Sequence, residues 1–422
     1  MSRGISTGRP HPAWVAWILS PIGTAIVALG ITQIVAWGTT LYVLGILAGP
    51  IATDTGWSRS LVFSGLTVGL LASSFVSTAV GKAIDARGAR FVMSLGSALC
   101  AAALLVVAAA TNQVVYLIGW AIMGLGMRMS LYDAAFAALV QVAPHRGRRA
   151  ISYLTLFGGF ASTFFWPIGH MLTAEVGWRA TLVIYAAINL VVCLPLHWWG
   201  LARREPPAAP AATDGTAPAA GVPEQPLEGQ ARTLAMVLFA IVMSASAFVF
   251  GAMAVHLPAV LEANGLSAAA AVALASLKGV AQVAGRFAEI LFGRRLHAVD
   301  LGRISLGLMP LAFVILIAGG ASYSAALTFI VLFGVANGLV TIVRGAVPLA
   351  LFGPHGYGTV LGILATPYLL LNALAPAVFA IVVDLWGYGI AEAVVLATGL
   401  LSAIAMEIMG FWYRGRLKRN GD

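Results

Sequence analysis

The chain has 422 residues, of which 60% are hydrophobic and only 9% are charged. A soluble globular domain carries about 25% charged residues, so this composition excludes a water-soluble fold and indicates a protein that lies in lipid. The net charge of +9 does not indicate a nucleic-acid partner, because the basic residues lie in short loops between apolar segments and form no continuous patch.

Apolar segments of about 20 residues, the length that spans a bilayer, recur twelve times along the chain. Because backbone amides in lipid must be hydrogen-bonded within their own segment, each segment is expected to be an α-helix. The predicted fold class is therefore an all-α polytopic membrane protein with twelve transmembrane helices. The predicted spans cover residues 18–49, 59–82, 91–111, 114–142, 150–174, 178–201, 233–262, 268–293, 302–321, 324–352, 358–383 and 388–412.

A linker separates the first six spans from the last six. Residues 203–231 are rich in Pro, Ala and acidic side chains and lack apolar periodicity, which is typical of a flexible linker. We expect an N-terminal six-helix bundle over residues 1–202 and a C-terminal six-helix bundle over residues 232–422.

Short sequence matches between the two halves indicate a pseudo-symmetric repeat. Pro144 recurs as Pro354 and Gly177 recurs as Gly387, both at an offset of 210 residues. Parallel repeats of this kind are one of the architectures that support alternating access.

The basic residues predict the orientation. Of the 24 Lys and Arg residues, 18 fall on the side that carries both termini, and only Arg59 and Arg179 fall on the other side. This asymmetry predicts that both termini are cytoplasmic. The segment after Arg3 and Arg9 lacks a clear cleavage site, so a cleaved signal peptide is not expected.

The loop after the second span combines turn glycines with charged residues. It contains Gly81, Asp85, Arg87, Gly88 and Arg90. Gly88 permits an unusual backbone angle, and Asp85 is suited to a helix N-terminus. The loop resembles the signature between spans two and three of the major facilitator superfamily, a resemblance that covers nearly the whole chain. The resemblance implies that this gating loop latches the two halves on the cytoplasmic side.

Shorter stretches resemble one bacterial branch of that superfamily, related to monocarboxylate transporters and oxalate/formate exchangers. This resemblance implies a location in a bacterial inner membrane. They are residues 131–139, 154–169, 256–267 and 281–286. In the monocarboxylate transporters, span eight carries an Asp four residues before an Arg that engages the substrate carboxylate. Arg286 matches that Arg, whereas Gln282 occupies the Asp position, which puts family-style proton coupling through span eight in doubt.

Four cations lie inside predicted spans: Arg128, Lys278, Arg286 and Arg344. An ionisable group deep in a bilayer usually faces a cavity or a partner. With Gln282, the two cations of span eight form one stripe at i, i+4 and i+8. The excess of positive charge favours an anion, and a guanidinium binds a carboxylate bidentately.

Each cation also has a structural alternative. Arg286 and Arg344 are long enough to snorkel to the cytoplasmic interface. Arg128 could pair with Asp133, although residues at i and i+5 lie about 140° apart on a helix, which makes an intrahelical pair poor.

Polar and aromatic residues at helical spacing are further candidates for substrate binding. Span one carries Gln33, Trp37 and Thr40 on one stripe with Tyr42 nearby, and span eleven carries Tyr368 four residues before Asn372. The rings could instead serve packing or the interfacial belt, but an amide in the middle of a span needs a polar partner.

Two residues are candidates for proton coupling. Asp133 is a deep carboxylate that could carry a proton or form an interhelical ion pair. His256 could titrate near physiological pH or be structural.

The sequence therefore predicts a secondary active transporter for a small organic anion, a mono- or dicarboxylate, working by alternating access with proton coupling or anion exchange. The alternative is an exporter of amphiphilic drugs or other small molecules. We find no nucleotide loop and no His/Glu metal constellation, so neither an enzyme nor a metal or cofactor is expected. Cys100 and Cys193 lie in apolar segments and indicate no disulfide. The expected partners are a small anionic solute, the lipid bilayer and protons, with a monomeric protein.

Overall fold

The computed structural model describes residues 13–206, 226–293 and 296–421, and these residues contain helices and no strand. The central part of the predicted linker, 207–225, and the basic residues Arg3, Arg9, Arg294 and Arg295 lie outside the described residues. In chain order, the α-helices of the described ranges are α1 (Ala13–Leu19), α2 (Pro21–Ala36), α3 (Leu44–Thr55), α4 (Arg59–Arg87), α5 (Ala89–Ala108), α6 (Gln113–Ser130), α7 (Tyr132–Val142), α8 (Gly147–Gly159), α9 (Ala161–Ile188), α10 (Leu194–Gly200), α11 (Gly229–Ala263), α12 (Ala268–Phe292), α13 (Ala298–Gly319), α14 (Tyr323–Phe352) and α15 (Tyr357–Gly421).

Ten helical stretches of the described ranges are long and apolar enough to cross a membrane. Two of them have 57 and 60 residues, which at 1.5 Å per residue is more than about 80 Å, far beyond a hydrocarbon core of about 30 Å. The backbone leaves the helix at Gly177 (φ 76°, ψ 166°) and at Gly387 (φ 80°, ψ 172°). Each long stretch is thus two crossings, and the described residues have the predicted all-α fold with twelve transmembrane helices.

We name the two ends of the helices after an aspartate at each end. The Asp85 face carries the connections near residues 88, 143, 201–206, 293 and 353–356. The Asp54 face carries the turns at 56–58, 109–112, 177, 264–267, 320–322 and 387. We call α1–α10 the first half and α11–α15 the second half.

Side-chain caps begin several crossings at the Asp54 face. Ser58, Ser267 and Ser322 each accept a hydrogen bond from the backbone amide three residues later, at the starts of α4, α12 and α14. Asn112 does the same for α6. These caps satisfy amides that have no partner within their helix.

The apolar core shows where the halves meet. One core contains residues of both halves, and its first-half members, such as Ile84, Phe136 and Leu154, lie toward the Asp85 face. A second core, around Trp120 and Tyr185, contains first-half residues only and lies toward the Asp54 face. Among the described residues, the halves therefore share buried apolar surface on the Asp85 side.

Candidate functional site

The fourth crossing is broken at Leu131. Helix α6 ends at Ser130, Leu131 is extended (φ −82°, ψ −169°), and α7 begins at the next residue. The Ser130 carbonyl at this break accepts a hydrogen bond from Nε2 of Gln33 at 2.8 Å. Asp133 lies in the first turn of α7, where the positive end of the helix dipole stabilises a carboxylate.

Asp133 forms ion pairs with arginines of both halves. Its Oδ2 lies 3.4 Å from Nη1 of Arg128, and its Oδ1 lies 3.0 Å from Nε of Arg344. Nε of Arg344 is close enough to Asp133 for an ion pair, but its geometry does not make a hydrogen bond. The same guanidinium lies 5.0 Å from the ring centroid of Tyr368. Nε of Arg128 donates to the hydroxyl of Ser77. A small, mostly apolar cavity borders Asp133, Arg344 and Tyr368.

The expectation of a poor Arg128–Asp133 pair was wrong. It assumed one continuous helix through both residues. Because the helix breaks at Leu131 between them, the 140° separation does not apply, and the carboxylate turns back toward Arg128. Arg344 likewise pairs with Asp133 in place of snorkelling to the interface.

Arg286 is buried without a counter-ion among the described residues. Only 2% of the residue is exposed. Its guanidinium donates to the Thr155 carbonyl at 2.7 Å, the Thr341 hydroxyl at 3.3 Å and the Gly338 carbonyl at 3.4 Å. All three acceptors are neutral, and Thr155 belongs to the first half, so Arg286 bridges the halves.

Several polar side chains at mid-depth make no hydrogen bond within the described part of the chain. Lys278 is half-buried and has no ion-pair partner there either. Tyr42, Gln282 and Asn372, which the sequence analysis selected for substrate binding, are also half-buried and have no side-chain hydrogen bond among the described residues. Asn337 of α14 shares it and was missed in the sequence analysis, although a mid-span amide is a signal that could have found it.

Small residues bring α12 and α14 together beside the predicted stripe. A Cβ at Gly338 would overlap the carbonyl of Gln282, and one at Gly334 would lie 2.7 Å from the carbonyl of Lys278. The stripe is therefore held on a closely packed helix pair, with Arg286 two turns below Lys278 toward the Asp85 face.

A π-helical turn over Trp37–Leu41 shapes the first crossing. The Tyr42 amide donates to the Trp37 carbonyl, five residues back, at 3.0 Å, so the two rings lie on one side with centroids 5.8 Å apart. Thr40, predicted on this stripe, is instead buried and bonds to its own helix. Nε1 of Trp37 donates to Oε1 of Gln33 at 3.1 Å.

The aromatic series continues into the fourth crossing. The rings of Trp37 and Tyr132 lie 5.2 Å apart, and Tyr132 stacks on Phe136 at 5.3 Å. The Tyr132 hydroxyl donates to the Thr155 carbonyl at 3.1 Å, the same oxygen that accepts from Arg286. The aromatic residues of the first half thus reach the stripe of the second half through one carbonyl.

His256 lies apart from this cluster. Its Nε2 is 3.0 Å from the Pro376 carbonyl, and its ring is 4.9 Å from that of Phe379. Both neighbours are in the second half and toward the Asp54 face, so the structure does not bring His256 to Asp133.

The Asp85 loop joins the halves at the first residues of α15. The Asp85 carboxylate accepts from the amides of Gly358 and Thr359 at 2.9 and 2.7 Å and from the Thr359 hydroxyl at 2.6 Å. A Cβ at Gly81 would overlap the Gly358 carbonyl. These contacts match the anion-stabilising N-terminus of a helix.

The other residues of this loop serve the first half. Gly88 adopts φ 85° and closes α4 through its amide. The Arg90 guanidinium lies 4.1 Å from the ring centroid of Trp198, and Arg87 is exposed. Gln141, which the sequence analysis did not select, bonds to the Ile84 carbonyl and the Ala89 amide on either side of the turn.

A second contact between the halves, at Arg148, was also missed. Nη2 of Arg148 donates to the Gly293 carbonyl at 3.3 Å and lies 3.8 Å from Glu289. Sequence alone shows Arg148 only as one of several basic loop residues. Every interhalf hydrogen bond or ion pair of the described residues lies between mid-depth and the Asp85 face.

Comparisons with known proteins agree with this architecture. The sequence model for the Major Facilitator Superfamily matches residues 28–366, and no curated protein matches the chain. The human organic anion transporter MFSD10 (TETRAN) is similar in structure, with a TM-score of 0.68 and 19% identity over 94% of this chain and 100% of its own.

Two further solved structures are similar at 14% identity. The proton:xylose symporter XylE has a TM-score of 0.68 over 93% of this chain and 95% of its own. FucP in the outward conformation has a TM-score of 0.69 over 92% and 99%. At these identities the structural similarity shows the fold alone. The sequence model of the family matches about four fifths of this chain, and the chain therefore belongs to the Major Facilitator Superfamily.

Proposed function

We propose that this transporter moves a small organic anion, a mono- or dicarboxylate, by alternating access. The observation that carries the proposal is Arg286, which is 2% exposed and bonded to neutral acceptors alone. A buried charge without a counter-ion is costly. Lys278, half-buried on the same helix face and unpaired within the described residues, adds a second cation that an anion would neutralise.

The charge balance argues against a cationic drug. Of the charged residues described at mid-depth, Asp133 is a carboxylate and the others are cations. Two arginines already form ion pairs with Asp133, so it is not available to a cationic drug. The fold itself does not select a substrate, since the similar structures include an organic anion transporter and a proton:xylose symporter. The branch resemblance, which pairs Arg286 with a substrate carboxylate, supports the same class.

Alternating access would rock the bundles 1–202 and 232–422 about the site, with 203–231 as their linker. The interhalf contacts on the Asp85 side support a state closed at that face and open toward the Asp54 face. If the termini are cytoplasmic, as the basic residues predict, this state faces outward from a bacterial inner membrane.

Coupling would centre on Asp133. Opening the Asp85 face separates Arg344 from Asp133, because they lie on different halves, and leaves Asp133 with Arg128 alone. In a proton-coupled cycle, Asp133 would accept its proton at that stage. In an exchanger, a bound anion would neutralise the positive charge of Arg344 in place of Asp133.

The test is thermal unfolding of the purified protein with a panel of mono- and dicarboxylates at pH 5.5 and 7.5, since a ligand of the native state raises its stability. We expect an anion to stabilise the wild type and Lys82→Gln, an exposed-lysine control, but not Lys278→Gln. The same anion should then show counterflow in proteoliposomes. Stabilisation by lipophilic cations and by no anion would contradict the proposal and favour the drug exporter.

A further inference from the structure

We propose that the transported anion has a flat aromatic body and that Trp37 and Tyr42 select it. This inference rests on the proposed anion transport and specifies its substrate class. Three features of the site carry it: a fixed aromatic surface on the first half, the cations Lys278 and Arg286 on the second half that have no counter-ion among the described residues, and the connection between them.

The aromatic surface is fixed before a ligand arrives. Gln33 is fully buried, donates to the backbone at Ser130 and accepts from the Trp37 indole, so it holds the indole in one orientation. The ring of Tyr132 lies 5.2 Å from the indole and is itself buried, with 4% of the residue exposed. A ring held in place in this way loses little conformational freedom when it binds a ligand.

Trp37 and Tyr42 are the accessible members of the series. Both are half-buried, whereas Tyr132 and Phe136 are buried. The π-helical turn brings Trp37 and Tyr42, five residues apart, to one side. On a regular α-helix they would point about 140° apart, so this turn creates a two-ring surface. The Tyr42 hydroxyl has no hydrogen-bond partner among the described residues.

The cations without a counter-ion lie on the other half of the chain. Lys278, Gln282 and Arg286 belong to the second half, and the residues that form the two-ring surface carry no charge. The shared Thr155 carbonyl, bonded by both Tyr132 and Arg286, fixes the rings and the stripe at neighbouring positions. A ligand between them would meet rings on one side and cations on the other, which fits an aryl monocarboxylate better than a small dicarboxylate.

The experiment compares dissociation constants for benzoate, cyclohexanecarboxylate, acetate and malonate by calorimetry on the full chain. Ring contacts between aromatic groups contribute a moderate preference, so we expect benzoate to bind at least about tenfold more tightly than acetate. Tyr42→Leu and Trp37→Leu should each reduce the benzoate-to-acetate ratio several-fold. The control Tyr323→Leu removes an exposed ring at the start of α14 and should leave the ratio unchanged.

The benzoate-to-acetate ratio distinguishes a loss of selectivity from a loss of folded protein, because a structural defect weakens the binding of all four anions together. Acetate or malonate binding as tightly as benzoate, or an unchanged ratio in both ring variants, would overturn the aromatic selection while leaving anion transport in place. Failure of all four anions and of the wider carboxylate panel to bind would instead remove the proposed function itself.

Discussion

Asp133 and Arg344 belong to different halves of the chain, yet their Oδ1 and Nε atoms lie 3.0 Å apart within the helix bundle. Their side chains are 8% and 16% exposed, so the pair lies in a weakly screened environment. A second arginine, Arg128, approaches the same carboxylate from its own half. The carboxylate therefore links the closure of the halves to the charge of the site.

Removal of the Asp133 charge should destabilise the protein strongly. In Asp133→Asn, Arg128 and Arg344 are left buried beside each other without their carboxylate, a loss of about 3 kcal/mol in similar buried pairs. Thermal unfolding of Asp133→Asn, Arg344→Gln and the double variant forms a double-mutant cycle. We expect the double variant to be more stable than the sum of the single effects predicts. Simple additivity would show that the pair is not coupled.

Asp85→Asn should loosen the Asp85 face. Asparagine replaces one of the two acceptor oxygens with a donor group, which removes acceptance from one of the two α15 amides, and it removes the charge that favours that helix N-terminus. A cysteine at Thr78, whose hydroxyl lies 3.4 Å from that of Thr366, reports access between the halves in a Cys100→Ala/Cys193→Ala background. We expect its maleimide labelling to rise several-fold.

Asp54→Asn is the matched control for that experiment. Asp54 accepts from Trp178 and Arg179, both in the first half, so its loss should not change labelling at position 78. Equal labelling in the Asp85→Asn variant and its parent would contradict a latch at Asp85.

Arg148→Gln should weaken the second interhalf contact, whereas Arg149→Gln should not. Arg148 reaches Gly293 and Glu289 of the second half, while the neighbouring Arg149 is exposed. We expect more labelling at position 78 in Arg148→Gln and a further increase when it is combined with Asp85→Asn. Identical behaviour of the two arginine variants would show that only the net basic charge of the loop matters.

Gly81→Ala should be far more harmful than an ordinary glycine-to-alanine change. A methyl group at Gly81 overlaps the Gly358 carbonyl, a backbone atom that cannot rotate away. Gly307 in α13 has nothing within 4 Å of the same position, so Gly307→Ala should be neutral or stabilising by up to about 1 kcal/mol. Melting temperatures of both variants test this, and similar values would contradict the close approach of α4 and α15.

The sequence predicts the features that depend on composition and local pattern. Apolar segment length predicts the twelve crossings, because lipid forces each segment to satisfy its own backbone. The spacing of Gly81, Asp85 and Gly88 predicts a special loop, and the loop lies at the meeting of the halves. The roles of the substrate-binding candidates stay predictions, to be tested by the binding experiments above.

The missed features depend on tertiary contacts. No Gly or Pro marks the break at Leu131, and its stabilising contact comes from Gln33, nearly a hundred residues earlier. The π-helical turn at Trp37 likewise has no local signal, and it changes which residues share a face. The Thr155 carbonyl that receives Arg286 is a backbone group, so side-chain identity could not reveal it.

The turns at Gly177 and Gly387 have almost the same backbone angles, 210 residues apart, and each consists of a single non-helical residue. A connection this short has no slack, because the neighbouring helices begin on either side of it. We therefore expect the fifth and sixth crossings to move together as one hairpin, and the eleventh and twelfth likewise. A motion of the fifth and eleventh crossings that exposes the site would then also move the sixth and twelfth crossings within the lipid, so the thickness and stiffness of the bilayer would contribute to the free energy of transport.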